Sequence, residues 1–159
     1  MRLFPGLSAD SEREGPRLPA RYRPMTLFGQ EHVDRYRETD GAEGYDWNGT
    51  TILLLDTIGR KSGKTYTHPL IYRDHPKGYL IVASKGGNPT PPDWFLNLKA
   101  NPEVTVQIKG ETVQAHARTA TAEEKPEMWQ RMVEVWPDYD TYQTKTDREI
   151  PIVVLERTS

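Results

Sequence analysis

Three short stretches of this sequence combine residue types at spacings that could do chemistry. The first, Gly59-Arg60-Lys61-Ser62-Gly63-Lys64, gathers three cations and a hydroxyl on a turn flanked by glycines. Such a turn suits an anion, because glycines let backbone N–H groups come close to oxygens, Arg60 can fork onto a phosphate or carboxylate, and Lys61 or Lys64 adds a point charge. It is not a nucleotide P-loop, since the Gly-x-x-x-x-Gly-Lys-Ser/Thr order and the helix that follows it are missing. Taken alone, a basic hairpin turn is more often a solvated surface loop. The second stretch, Ala83-Ser84-Lys85-Gly86-Gly87-Asn88, ends a strand in a hydroxyl, a cation and two glycines. A flat ring could lie against so bare a backbone, although the glycines could equally serve only a tight turn at positive φ. The third, Trp136-Pro137-Asp138-Tyr139-Asp140-Thr141-Tyr142, crowds aromatics with polar tips at the end of a helix. Packing accounts for Trp129 and Trp136, but tyrosines beside Asp and Thr usually keep their hydroxyls wet or hydrogen-bonded.

Composition removes several chemistries. Cysteine is absent, which excludes disulfides, iron–sulfur clusters, thiolate zinc and thiol nucleophiles, so any redox chemistry must come from a bound cofactor. His32, His68, His75 and His116 show no i, i+4 pairing, and no metal site is expected. No Gly-x-Ser-x-Gly elbow is present. A net charge of −2 over 159 residues, with mixed signs along the chain, gives no broad basic face for nucleic acid.

The elements that must position these stretches follow from periodicity. Residues 8–24 are rich in Arg, Glu, Pro and Ser and lack core-forming groups, so residues 1–26 are expected to be a flexible leader and 27–159 a single domain. The run Met1–Leu7 is too short and broken for a signal peptide, and cytoplasmic residence is expected. Leu27 to Thr39 has helical spacing at Phe28, His32/Val33 and Tyr36, a face that would serve as a lid on the domain, with a weak contact to the inner membrane surface as the alternative. The apolar run Thr51–Thr57 reads as a strand covered on both faces. Tyr66–Arg73 and Tyr79–Ser84 read as further strands. A helix from Pro92 and Asp93, bearing Trp94, Phe95 and Leu98, stops at Asn101-Pro102. Val104–Ile108 and Val113–Ala117 form a hairpin about Lys109-Gly110. Thr121 and Glu124 resemble a capping box for a helix carrying Met128 to Trp136, with Pro126 expected to push its start later, and Ile150–Glu156 reads as the last strand. Six strands and two or three helices joined by hairpins suggest an antiparallel barrel or curled sheet with helices outside.

Four motifs in order, Thr57–Lys64, Val82–Gly87, Trp94–Pro102 and the run from Trp136-Pro137-Asp138-Tyr139 through Thr146-Asp147-Arg148-Glu149-Ile150-Pro151, make the chain resemble the deazaflavin-dependent nitroreductase family of actinobacteria from about Phe28 to Glu156. The resemblance implies an α+β, mainly β split β-barrel of the FMN-binding-like kind with peripheral helices. It also implies binding of coenzyme F420, an 8-hydroxy-5-deazaflavin with a phosphate and oligoglutamate tail. The tail is implied at Gly59, Arg60, Lys61, Ser62 and Gly63, and the ring at Ser84, Lys85, Gly86 and Gly87, with Trp94, Asn97 and Tyr139 bordering the groove. Tyr139, Tyr142 and Ser84 are the implied catalytic hydroxyls. Trp136 and Ile71 replace pocket tyrosines and make the pocket more apolar. The implied reaction is hydride transfer from the reduced coenzyme to a small electron-poor acceptor, a quinone, conjugated carbonyl or nitro compound, by a monomer or homodimer. A non-catalytic flavin, haem or F420 carrier is the alternative, since fold does not fix function.

Deleting residues 1–24 is expected to leave thermal stability and coenzyme affinity nearly unchanged. A melting curve and a binding titration on the truncated chain check this.

Overall fold

The apolar run from Thr51 becomes the middle of a strand whose Ile52, Leu53, Leu54 and Leu55 are all buried, and the reason is coverage of both faces. Leu53 and Leu55 point into the main core, while Ile52 and Leu54 pack with Val33 and Tyr36 of the first helix. A computed structural model describes residues 27–159; the expected leader over 1–26 lies outside the described residues. The order is α1 (Gly29–Thr39), β1 (Asp46–Trp47), β2 (Thr50–Ile58), β3 (Thr65–Ile71), β4 (Arg73–His75), β5 (Gly78–Val82), α2 (Asp93–Ala100), β6 (Glu103–Ile108), β7 (Glu111–Thr119), α3 (Lys125–Val135), α4 (Asp138–Thr144) and β8 (Ile152–Arg157).

All strand pairs are antiparallel, in the order β1-β2-β6-β7-β8-β5-β4, with β3 also on β2. Because β3 and β4 are separated only by Tyr72, the chain itself joins the far ends of the sheet and curls it into a split barrel. Alternation divides the core. Tyr79, Ile81, Val153 and Leu155 face the interior, whereas Leu80, Val82, Ile152 and Val154 face outward onto Met128, Met132 and Tyr139 of α3 and α4. Four antiparallel steps separate β2 from β5, so the two strands run in the same sense. Their C-terminal loops, Gly59–Lys64 and Ala83–Asn88, therefore leave from the same rim.

Four expectations need correction. Among the described residues the sheet has eight strands, not six. β1 is two residues long and too short to show periodicity, and the single strand expected over Tyr66–Arg73 is interrupted at Tyr72. There the ring packs edge-on to Tyr79 at 5.6 Å and the hydroxyl meets that of Tyr45 at 2.9 Å. The tyrosine segment after Trp136 is a helix, α4, begun by Pro137. Phe28 does not share the buried face of α1: it precedes the helix, is 65% exposed and lies edge-on to Trp47, leaving His32, Val33 and Tyr36 as the face packed on the barrel. The Thr121–Glu124 box is present, with reciprocal bonds of 2.7 and 3.3 Å, and the helix starts after it, at Lys125, with Pro126 in its first turn. Arg118 and the Thr121 N–H hold the Glu124 carboxyl well below the usual range, at about 2. Among the described residues no helix is long and apolar enough to cross a membrane.

Tyr36 fastens α1 to the sheet. Its hydroxyl donates to the Ile52 carbonyl at 2.9 Å and accepts from the Lys109 N–H at 2.8 Å, and burial pushes its pKa up to about 12. Tyr36→Phe leaves both backbone groups without that partner and is expected to cost about 1–3 kcal/mol of stability, read as a lower urea midpoint at constant slope.

Candidate active site

The turn after β2 is shaped by its own backbone. Gly59 N–H donates to Lys64 O at 2.7 Å, Gly63 N–H to Gly59 O at 2.9 Å, and Lys64 N–H to Ser62 Oγ at 3.1 Å. A Cβ on Gly59 would lie 2.6 Å from Ser62 Oγ and 2.7 Å from the Tyr66 ring, so only glycine lets the turn close this tightly. Asn97 of α2 braces it from below. Its Oδ1 accepts from the Arg60 N–H at 3.2 Å and from the guanidinium at 2.8 Å, while its Nδ2 donates to Thr57 Oγ1 at 3.3 Å. Arg60 also reaches Asp93 at 3.5 Å, but that carboxylate is 81% exposed, so the pair is weak and exchangeable for a ligand anion. Together these groups wall a cleft of about 400 Å³ with Arg60 and Lys61 on one side and Asp93 and Asn97 on the other.

A second cleft of about 560 Å³ opens beside it. Ser84, Lys85 and Gly86 form one wall, the β3 residues Pro69, Leu70 and Ile71 another, and Trp94, Trp136, Tyr139 and Tyr142 bring aromatic surface. Trp136 stacks at 5.6 Å and 32° on Trp47, and Tyr139 meets Tyr142 at 6.1 Å. Tyr142 accepts a bond from the Trp136 indole at 3.3 Å. The Tyr139 hydroxyl makes no hydrogen bond to the described residues, and burial raises its pKa well above the phenol range, so it stays protonated. The loop wall is held by Arg148, whose guanidinium donates to the carbonyls of Ser84 at 2.7 Å, Asn88 at 2.9 Å and Ala83 at 3.3 Å.

His68 and Asp93 line both clefts, which sets the two side by side. His68 Nδ1 is buried without a partner, and burial lowers the imidazole pKa against the opposing pull of Asp93. The lowered pKa keeps the ring neutral, and its Nε2 makes no hydrogen bond to the described residues either. An aromatic-walled chamber thus adjoins a cationic one at a neutral imidazole, a fit for a planar ring bearing an anionic tail.

The profile of the family described as F420H(2)-dependent quinone reductase matches residues 28–157. The chain belongs to that family. An F420H(2)-dependent quinone reductase of Mycobacterium tuberculosis is 39% identical over 130 residues, covering 79% of this chain and 87% of that one. A solved structure described as an F420-H2 dependent reductase, FDR-A, is 44% identical with a TM-score of 0.61, covering 66% of this chain and 93% of that one. A second, described as a domain-swapped dimer, is 42% identical with a TM-score of 0.64, covering 79% and 95%.

Within this quinone reductase family member, the residues expected from sequence divide between the chambers. Gly59, Arg60, Lys61, Ser62 and Asn97 line the cationic one, and Ser84, Lys85, Gly86, Trp94, Tyr139 and Tyr142 the aromatic one. Gly63, Lys64 and Gly87 line neither. Gly87 instead lies against the Tyr142 carbonyl, where a Cβ would come within 2.5 Å. Asn97 is 4% exposed and acts mainly as the brace of Arg60. His68 and Arg148 were not singled out from sequence. An isolated histidine in a strand carries no spacing signal, and Arg148 bonds to carbonyls about 60 residues away.

Asn97→Ala is expected to lower stability by about 1–3 kcal/mol, since Thr57 is left buried without its donor, and to loosen Arg60 at the same time. Denaturant unfolding reads the first effect and coenzyme titration the second. Below pH of about 6.5 an unfolded chain binds a proton at His68 that the folded chain resists. Stability therefore falls as the pH drops through that range, and His68→Asn is expected to flatten the fall in a melting series.

Proposed function

We propose that this chain is an oxidoreductase that reduces a quinone with hydride from reduced coenzyme F420, and that the adjoining chambers hold the coenzyme while the aromatic mouth holds the acceptor. What carries the reading is the shared lining at His68 and Asp93, which sets an aromatic chamber beside a cationic one in the right chemical order for a ring and its polyanionic tail. When bound, the reduced coenzyme supplies the hydride. Arg60 and Lys61 bind the phosphate and carboxylates of the tail, with Ser62 and the close-packed Gly59 turn adding short polar contacts. Ser84, Lys85, Gly86 and Trp94 orient the ring, and Gly87 closes the loop behind them. Trp136 and Ile71 keep the acceptor wall apolar, which favours a quinone over a highly charged acceptor. Tyr139, protonated and without a partner among the described residues, donates to the acceptor oxygen that gains charge, and Tyr142, tethered to Trp136, orients it. The relative described as a domain-swapped dimer supports a homodimer rather than a monomer.

Stopped-flow oxidation of the reduced coenzyme by a quinone tests the whole reading: binding without oxidation would make the chain a carrier, and tight binding of FMN alone would remove the coenzyme assignment. Replacing Arg60 and Lys61 together by Ala is expected to weaken coenzyme binding by about 2–4 kcal/mol, with wild-type affinity itself falling as salt rises. Tyr139→Phe keeps the ring and is expected to slow the hydride step about ten- to a thousandfold with little change in coenzyme affinity. An unchanged rate would return Tyr139 to a packing role and leave Tyr142 or Ser84 as the donor.

A further inference from the structure

The loop after β5 has an unusual backbone. Lys85, Gly86 and Gly87 follow one another at φ of 47°, 62° and 82°, a left-handed run that glycine adopts freely and lysine only under strain. Something must hold it there. Gly87 N–H closes the turn onto Ser84 O at 2.9 Å and Asn88 N–H onto Lys85 O at 3.0 Å, and Arg148 reaches the carbonyls of Ala83, Ser84 and Asn88 from one side.

That one-sidedness has an electrostatic result. In a trans peptide the C=O and the following N–H point in opposite directions. With the Ala83 and Ser84 carbonyls turned toward Arg148, the N–H groups of Ser84 and Lys85 are turned away from it, to the side where Ser84, Lys85 and Gly86 line the larger chamber and Arg148 does not. Neither N–H donates to any backbone or side-chain group among the described residues. Two adjacent free N–H groups in a turn of this kind form a concave seat for an oxygen carrying negative charge. Arg148 adds to it: among the described residues its guanidinium makes no ion pair, and its partners are carbonyls alone, so a positive charge lies behind the seat without a carboxylate to cancel it. Burial without a counter-ion also lowers its pKa.

We propose that Arg148 is a positioning residue for the coenzyme, which turns the Ser84 and Lys85 N–H groups into a two-donor seat for a carbonyl oxygen of the deazaflavin ring. The proposal rests on the coenzyme assignment above. Arg148 touches neither ring nor acceptor; it acts by fixing the peptide dipoles that do. Lysine cannot replace it, because a single ammonium on a flexible stem cannot satisfy three carbonyls spread from residue 83 to residue 88.

The test is the binding of oxidised coenzyme F420 to the full chain, followed by titration and by the absorption band of the bound ring, for wild type, Arg148→Lys and Arg148→Ala. Both variants are expected to lose at least tenfold in affinity, with the bound band moving toward that of the free coenzyme. Millimolar guanidinium is expected to restore affinity and band position in Arg148→Ala and to leave wild type unchanged. If Arg148→Ala does not fold, Arg148→Lys carries the test. Wild-type affinity and band in Arg148→Lys would overturn the proposal. So would weaker binding with an unmoved band and no guanidinium rescue, the signature of general loosening. A loss confined to the KM for quinone would place the seat under the acceptor and overturn it also. Failure of wild type to bind the coenzyme at all would instead sink the functional reading on which it stands.

Discussion

The constraint on which the rest depends is that β2 must be buried on both faces. Four consecutive residues, Ile52 to Leu55, leave water together, and a strand alternates its side chains, so half of them need a barrel interior and half need a cover. The interior half gathers β6, β7, β5 and β8 around it, and the outer half seats α1 through Val33 and Tyr36. Once β2 is central, the antiparallel order fixes where its C-terminal end emerges. β5 runs in the same sense, so the Gly59 turn and the Ser84 loop arrive at one rim although more than 20 residues separate them.

At that rim the protein sorts chemistry by environment. Cations sit where solvent screens them and where their partners are loose, as in the 3.5 Å contact between Arg60 and Asp93. Such charges can exchange one anion for another at little cost. Groups that must hold a fixed geometry are instead tied, and withdrawn from solvent wholly at Asn97 and partly at Arg148. Asn97 spends its amide on Thr57 and Arg60, and Arg148 spends its guanidinium on three carbonyls. His68 lies between the two regimes, neutral because burial disfavours its charge, at the point where the aromatic chamber adjoins the cationic one.

The aromatic chamber shows how packing and polarity share one surface. Trp136 stacks on Trp47 and donates its indole N–H to Tyr142, so its ring is apolar toward the groove while its polar edge fixes a tyrosine. Tyr139 faces Met-rich packing from α3 on one side and the groove on the other. Desolvation keeps it a phenol, which is the form a hydrogen-bond donor needs.

The strands with clear periodicity, the cationic turn, the Ser84 loop and the aromatic cluster were legible in the sequence because each is a local pattern: alternation, a glycine-flanked charge run, or a breaker after a helix. So were the capping box at Thr121 and the delay that Pro126 imposes. The two-residue β1 and the seven-residue α4 were not, since β1 shows no repeated alternation, α4 spans barely two turns, and both are stabilised by neighbours rather than by propensity. Phe28 was misplaced for a related reason: helical spacing extrapolates across a helix start that the chain does not keep. The larger part decided only in three dimensions is the placing of the two chambers side by side. Composition and order along the chain say which residues can hold an anion or a ring. They cannot say that His68 will line both of those sites or that Arg148 will turn two peptide planes toward one of them, because burial and peptide orientation at a given residue are set by distant segments that only the folded sheet brings together.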